Sequence, residues 1–287
     1  MKNNPFHTIL IIGLGLMGGS FLKKIKQSSS VIYGIEPDVA IQAQIQADFA
    51  DVIFISYDDI AILQTIDLCI ITLYPQDVLE AFNRLDGLLG PDALVIDISG
   101  IKKDICEQLQ KKQALSFQFI LTHPMAGREM GGYENSLPTI FEKANFIVIS
   151  DIMQATGQLM LKLEQFVTFL GFEHMTQLGY LEHDLQITYT SQLSHILAVS
   201  LLNSADYNHR TKDCIGDSFR DLTRIANMNI KLWETLFFEN KELLASSIGS
   251  LIHELEQVQK HLACDEKPAL HTFLERAKWR RLDFDKK

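Results

Sequence analysis

Short runs of β-branched and other apolar residues alternate with segments of helical period through the first half of the chain. Thr8-Ile9-Leu10-Ile11-Ile12 is a continuous apolar run ended by Gly13, the pattern of a strand buried on both faces. Comparable runs recur at Val31–Ile35, Val52–Ile55, Leu68–Thr72, Leu94–Ile98, Phe119–Thr122 and Phe146–Ile149, and between them Gly18–Lys26, Pro75–Leu89 and Lys102–Lys111 carry the helical period. Alternation at this spacing predicts βαβ units, hence a mostly parallel sheet with helices on both faces.

The second half has a different pattern. Asp151–Leu170 reads as a helix with an aspartate near its start and Gly171 as its stop, and Phe172–Thr176 as one last strand. Beyond Gly179 only helical stretches remain, at Asp184–Ser204, Ser218–Ile225, Leu232–Leu262 and Ala269–Leu282. The expected architecture is α/β, a doubly wound, mostly parallel sheet followed by an all-helical domain. The boundary is expected between residues 178 and 179, giving domains 1–178 and 179–287, with a ligand cleft where they meet. The apolar stretches Ile196–Leu202 and Leu232–Phe238 are too rich for a small monomeric bundle and predict a homodimer through the helical domain.

Composition narrows the function classes. The 287 residues suit one large or two ordinary domains, and 47% hydrophobic with 22% charged residues excludes a disordered chain, a collagen-like fibre or a disulfide scaffold. A net charge of −10 argues against nucleic acid, whose phosphates call for a basic face, but leaves a local basic pocket for a small anion open. Cys69, Cys106, Cys214 and Cys264 are far apart and form no metal-like cluster with histidine; His253 and His261 on a long helix have no ligand set either, so no metal is expected. The longest apolar stretch, Ile9–Met17, is well short of the roughly 20 residues of a membrane span. Glycines break any leader-like reading of the start. A cytoplasmic location with free thiols follows. The basic segment Arg276–Arg281 reads as a solvated helix face with Trp279 buried.

Gly13-Leu14-Gly15-Leu16-Met17-Gly18 follows a strand and opens a helix. Gly13 permits the tight turn, Gly15 lets backbone approach a pyrophosphate, and Gly18 allows close helix–strand contact; the N–H groups at Leu16 and Met17 then face the phosphates. This is the Rossmann-type dinucleotide fingerprint. Glu36 closes the second strand, where a carboxylate accepts from ribose hydroxyls and repels a 2′-phosphate, which favours NAD; Asp38 offers a second carboxylate for the same role. Three further segments fall beyond strand ends, where this fold puts chemistry: Thr72-Leu73-Tyr74-Pro75, Asp97-Ile98-Ser99-Gly100-Ile101-Lys102, and His123-Pro124-Met125-Ala126-Gly127-Arg128-Glu129. Thr72 and Leu73 are expected to cover the cofactor. His123, expected on a Pro-containing turn after its strand, is suited to act as acid, base or acceptor.

The glycine loop, the Asp97–Lys102 segment and His123-Pro124-Met125-Ala126-Gly127 resemble the prephenate dehydrogenase family of tyrosine biosynthesis. The second half agrees, with Glu182-His183-Asp184, Ser191-Gln192-Leu193-Ser194-His195, Phe219-Arg220-Asp221-Leu222-Thr223-Arg224-Ile225-Ala226, Trp233 and Asn240 in order. The resemblance implies NAD-dependent oxidative decarboxylation of prephenate to 4-hydroxyphenylpyruvate, or of arogenate in some members. It implies that His123 accepts a hydrogen bond from the ring hydroxyl, that Ser99 touches the same hydroxyl and the nicotinamide side, and that Arg224 pairs with a substrate carboxylate, for which a planar guanidinium is well shaped. Glu129 and His195 would line the substrate end, and Arg220, Asp221 and Trp233 the mouth, some of them supplied by the other subunit.

Some positions depart from the family pattern. Gln192 and Ser194 stand where many members carry histidine and proline, Asp217-Ser218 replaces a glycine pair, and Arg128 and Gly131 replace small residues. Two readings stand for Arg128: an added charge for the substrate, or a solvated side chain. Two alternatives of other classes are a β-hydroxyacid-type dehydrogenase and an NAD-binding redox sensor. The first would need a lysine base between Glu182 and Asn203, where there is none. The second has no use for an imidazole acceptor combined with an anion clamp.

Overall fold

Strand β1 (Thr8–Ile12) pairs in parallel with β2 (Val31–Ile35) and with β4 (Leu68–Ile71), so a strand that is apolar throughout lies at the centre of the sheet. The computed structural model describes residues 3–112, 114–128, 130–204 and 208–284. With β3 (Ile53–Phe54), β5 (Leu94–Asp97), β6 (Gln118–Pro124), β7 (Asn145–Gln154) and β8 (His174–Leu178), the strand order is β3-β2-β1-β4-β5-β6-β7-β8. Every pairing is parallel except β6 with β7. The first six strands follow the doubly wound Rossmann-type order, with a crevice at the switch between β1 and β4.

Alternate residues of β1 feed separate cores. Ile9 and Ile11 join Phe21, Phe141, Phe146 and Phe166 on one face, while Leu10 and Ile12 join Val78, Phe82, Phe117 and Leu121 on the other. These β1 side chains are almost wholly buried, and burial of each contributes about 1.5–3 kcal/mol. The covering helices are α1 (Leu16–Ile25), α2 (Val39–Asp48), α3 (Ile60–Leu63), α4 (Pro75–Leu85), α5 (Lys103–Gln110) and α6 (Gly157–Leu170). Pro75 opens α4, where its missing N–H costs nothing, and Gly171 ends α6 in the left-handed region at φ 103°, as expected.

Two sequence expectations fail in β6 and β7. His123 and Pro124 do not form a turn: they continue β6, because β7 supplies antiparallel partners, His123 opposite Ile147 and Pro124 opposite Phe146. Asp151 does not start a helix. It lies within β7, and its carboxylate accepts the N–H of Tyr180 at 3.2 Å, while Thr156 caps α6 by accepting the N–H of Leu159.

The helical stretches are also more broken than their periodicity implies. Asp184–Ser204 divides into α7 (Tyr180–Ile187), a π-helical turn at Thr188–Gln192 and α8 (Leu193–Asn203). Buried polar side chains hold that turn: Asn240 Nδ2 donates to Thr188 Oγ1 at 2.6 Å and to Gln192 Oε1 at 2.8 Å, and Gln192 Nε2 donates to the Leu236 carbonyl at 2.8 Å. α9 (Asp217–Thr223) ends before Arg224, which opens a 3-10 turn to Ala226. Leu232–Leu262 is likewise two helices, α10 (Ile230–Glu239) and α11 (Lys241–Ala263), parted at Asn240, whose backbone leaves the helical region (φ −117°, ψ 24°).

By compactness the chain divides into a unit ending at Asn240 and a unit beginning at Lys241. The second unit comprises α11 and α12 (Lys267–Phe284), joined by a turn with Asp265 at φ 53°. Arg276 Nη2 pairs with Glu254 Oε2 at 2.7 Å, and His261 Nδ1 lies 2.8 Å from Glu266 Oε2. Trp279, expected to be buried, is 69% exposed, on a helix that also presents Leu274, Leu282 and Phe284 to solvent.

Candidate active site

The glycine loop lies between the end of β1 and the start of α1, at the switch of the strand order. Gly13 has φ +82°, and a Cβ there would come within 2.9 Å of Leu73 Cδ2. At Gly18 a Cβ would meet the Gly13 carbonyl at 2.0 Å, so only glycine lets α1 seat against the loop. At Gly15 a Cβ would meet nothing within 4 Å. Protein packing therefore does not require glycine there, but a phosphate lying on the backbone would. No side chain caps the start of α1, which leaves its first N–H groups for an anion. Glu36 Oε2 accepts the Leu14 N–H at 2.8 Å and Oε1 the Asp38 N–H at 3.0 Å, so the carboxylate braces the loop at the place where a ribose would lie. Asp38 instead caps α2, accepting the Ala40 N–H. Thr72 Oγ1 donates to the carbonyls of Ile12 and Gly13, tying the end of β4 to the same loop. Loop, carboxylate and free helix end together suit an adenine dinucleotide.

A cleft of about 450 Å³ runs from this loop to the end of β6. Gly13, Gly15, Leu16, Met17, Glu36, Thr72, Leu73, Ser99 and His123 all line it, whereas Gly18 is buried in the packing of the loop. Tyr74 and Asn229 border the same cleft and approach each other across it, Asn229 Nδ2 lying 3.4 Å from Tyr74 Oη, and Leu232 and Leu236 of α10 add an apolar wall. Arg128 also lines it and donates to the Asn135 carbonyl at 3.4 Å, so this cation borders the ligand space.

Ser99 sits on the turn after β5 in a buried polar cluster. Its Oγ donates to Asp97 Oδ2 at 2.5 Å and accepts from Lys102 Nζ at 3.1 Å, while Lys102 Nζ pairs with Asp97 Oδ2 at 2.5 Å. Thr122 N completes the cluster on Asp97 Oδ1. The hydroxyl proton is thus directed inward, and a lone pair of Ser99 remains for the cleft.

His123 presents one ring edge to the cleft: a Cβ on Gly100 would lie 3.8 Å from its Nε2. Its Nδ1 lies 2.9 Å from Nε2 of His183, the two rings edge-to-face. Burial first, with His183 and Lys102 adjacent to disfavour a further positive charge, holds the His123 pKa well below its usual 6.5, so the ring is neutral at pH 7.

Among the described residues, the remaining sequence candidates do not line the cleft. His195 stacks on Trp233 with ring centroids 3.6 Å apart, and Trp233 adjoins Leu232 of the apolar wall. Arg224 is exposed on its 3-10 turn, next to α8. Arg220 is exposed and pairs with Asp217 at 3.0 Å, and Asp221 is exposed. Glu129 lies outside the described residues. Asp97, Lys102, His183 and Asp184 stand within motifs quoted from the sequence, but none was given a role of its own. An acidic residue ending an all-apolar strand and a lysine within that buried segment were the available signals for the first two. Among the described residues no group of three or more His, Cys, Asp or Glu is arranged to hold a metal ion, and no helix is long and apolar enough to cross a membrane.

Residues 19–170 match the prephenate dehydrogenase nucleotide-binding domain, and residues 181–276 the prephenate dehydrogenase dimerization domain. The chain is 24% identical over 287 residues to the prephenate dehydrogenase of Bacillus subtilis strain 168, covering 96% of this chain and 76% of that protein. It is 26% identical over 279 residues to the prephenate dehydrogenase of Lactococcus lactis subsp. cremoris, covering 94% and 75%. In fold it resembles the prephenate dehydrogenase of A. aeolicus, solved in complex with hydroxyphenyl propionate and NAD+, with a TM-score of 0.81, 23% identity, and 97% and 98% of the two chains covered.

Proposed function

This chain belongs to the prephenate dehydrogenase family, and from that premise we propose that it catalyses the NAD-dependent oxidative decarboxylation of prephenate to 4-hydroxyphenylpyruvate. The observation that carries the reading is the sharing of one cleft by a neutral imidazole and a dinucleotide loop. The names of the two relatives point the same way.

The N–H groups of Leu16 and Met17 at the start of α1 hold the pyrophosphate and Glu36 the adenosine ribose, while Thr72, Leu73 and Ser99 border the nicotinamide. Bound NAD supplies the hydride acceptor. His123 Nε2 accepts a hydrogen bond from the ring hydroxyl as the C–H bond beneath it breaks, and the free lone pair of Ser99 orients the same hydroxyl. The bond to the ring carboxylate breaks in turn; its electron pair enters the ring, CO2 leaves and the ring becomes aromatic. Removing such an acceptor costs on the order of 10² to 10⁴ in rate. Arg224 pairs with a substrate carboxylate, with Arg128 as a nearer cation bordering the cleft. Glu129, His195, Arg220, Asp221 and Trp233 complete the substrate end and mouth.

Residues 1–178 carry the cofactor and 179–287 the substrate end and the dimer contact, a division supported by family matches that stop at 170 and resume at 181. Two copies associate through the helical part, in keeping with its match to a dimerization domain and with exposed Ile252, Leu255, Leu274 and Trp279. The enzyme works in the cytoplasm, where four unpaired thiols stay reduced.

The test is NADH formation with prephenate and with arogenate, each with NAD and NADP. Turnover of prephenate with NAD is expected; activity on neither acid overturns the reading, and preference for arogenate corrects the substrate. His123→Asn should depress kcat with NAD affinity unchanged, and Arg224→Ala should mainly raise the prephenate KM.

A further inference from the structure

Neither of the two residues behind His123 reaches the cleft, and the reaction as derived above uses neither. Asp184 and His183 are buried to 1% and 0% exposure in α7. The Asp184 carboxylate takes backbone N–H groups at the start of α5, from Lys102 at 3.0 and 3.2 Å and from Lys103 at 2.8 Å, and it lies 2.7 Å from His183 Nδ1. The Lys102 ammonium points elsewhere, to Asp97 and Ser99. A carboxylate bound by amide donors at a helix start has only acceptor capacity to offer. His183 Nδ1 must therefore carry a proton, and in the neutral ring this leaves a lone pair on its Nε2. That lone pair faces His123 Nδ1 at 2.9 Å, so the His123 proton sits on Nδ1. In a neutral imidazole the other nitrogen is then the acceptor, and in His123 it is the one on the edge toward Gly100 and the cleft.

From this chain of contacts we propose that His183 and Asp184 are positioning residues that fix the tautomer of His123, so that its Nε2 lone pair, rather than an N–H, meets the substrate hydroxyl. The proposal rests on the reading of His123 as the hydrogen-bond acceptor. Without His183 the His123 proton is free to occupy Nε2, where the ring would donate to the hydroxyl instead of accepting from it.

The experiment combines kinetics with 15N NMR of histidine-labelled protein, whose nitrogen shifts report the tautomer whether or not the enzyme turns over. The wild type should show His123 protonated at Nδ1. His183→Phe should mix in the Nε2–H form and lower kcat by about 10- to 100-fold, with KM for prephenate and NAD changed by less than about twofold. His183→Gln should stay within about threefold of wild type, because its amide oxygen can accept from His123 while its N–H2 donates to Asp184. An Nε2–H tautomer in the wild type would overturn the proposal without any variant. So would unchanged kcat and tautomer in His183→Phe, or equal loss in the Gln and Phe variants. An Nδ1–H wild type that shifts in His183→Phe but turns over no prephenate would support the positioning role and refute only the substrate reading.

Discussion

The ammonium of Lys102 lies 2.5 Å from Asp97 Oδ2 with both side chains fully buried, five positions apart across the turn that carries Ser99. Such a pair orients its neighbours but offers little net stability, since desolvation of both ions offsets their attraction. Breaking it from one side is another matter. Lys102→Met should cost about 3–5 kcal/mol in urea unfolding, because Asp97 is left as an uncompensated buried charge. Adding Asp97→Asn to Lys102→Met should recover part of that loss. Failure of the double change to recover stability would mean that the charge is not the cause.

Two glycines of the fingerprint, Gly15 and Gly18, should respond to substitution in opposite ways. Gly18→Ala drives a methyl into the Gly13 carbonyl and should destabilise the fold by roughly 3 kcal/mol. Gly15→Ala meets open space and should leave the unfolding midpoint within about 0.5 kcal/mol of wild type while raising the KM for NAD about tenfold or more. Unfolding curves and NAD titrations on the same two variants decide the matter.

Burial lowers the His123 pKa below 6.5, and that fixes the sign of two pH effects. The unfolded chain binds this proton more readily, so its contribution to stability is intact above 6.5 and is lost as pH falls from there toward the folded value. The acidic limb of kcat/KM should likewise lie below 6.5. Stability profiles of wild type and His123→Asn should run parallel above that pH and change their separation beneath it.

Glu239, at the end of α10, titrates in the opposite sense. Burial first, then the charges of Asp104 and Asp184, push its carboxyl from 4.5 up to about 7. Its stabilising contribution is fully present below 4.5 and is lost as pH rises through 7. Glu239→Gln should therefore be nearly neutral at low pH and stabilising at pH 8, as measured by thermal unfolding at both values.

Periodicity was sufficient for the layered architecture, because a strand apolar on both faces and a glycine turn between strand and helix each have few structural solutions. It failed where partners come from distant segments. Thr122 looks like a strand end before His123-Pro124 until β7 pairs beyond it. Asp151 looks like a helix cap, yet it serves the N–H of Tyr180, on another helix. Gln192 stands out in the sequence only as a departure from the family pattern and is a buried strut between the Leu236 carbonyl and Asn240. At the site, His123, Ser99 and the glycine loop were legible because short segments at strand ends carry them. The His183–Asp184 pair was not, because its meaning depends on a contact spanning 60 positions.

The pairing of His123 with Ile147 has a consequence for how this enzyme can change. An imidazole anchored in a ladder is a fixed datum, and loop motion cannot retune it. Adaptation to a differently shaped acid must therefore come from the facing wall, at Tyr74, Asn229 and the first turns of α10, while the reacting atoms keep a common origin.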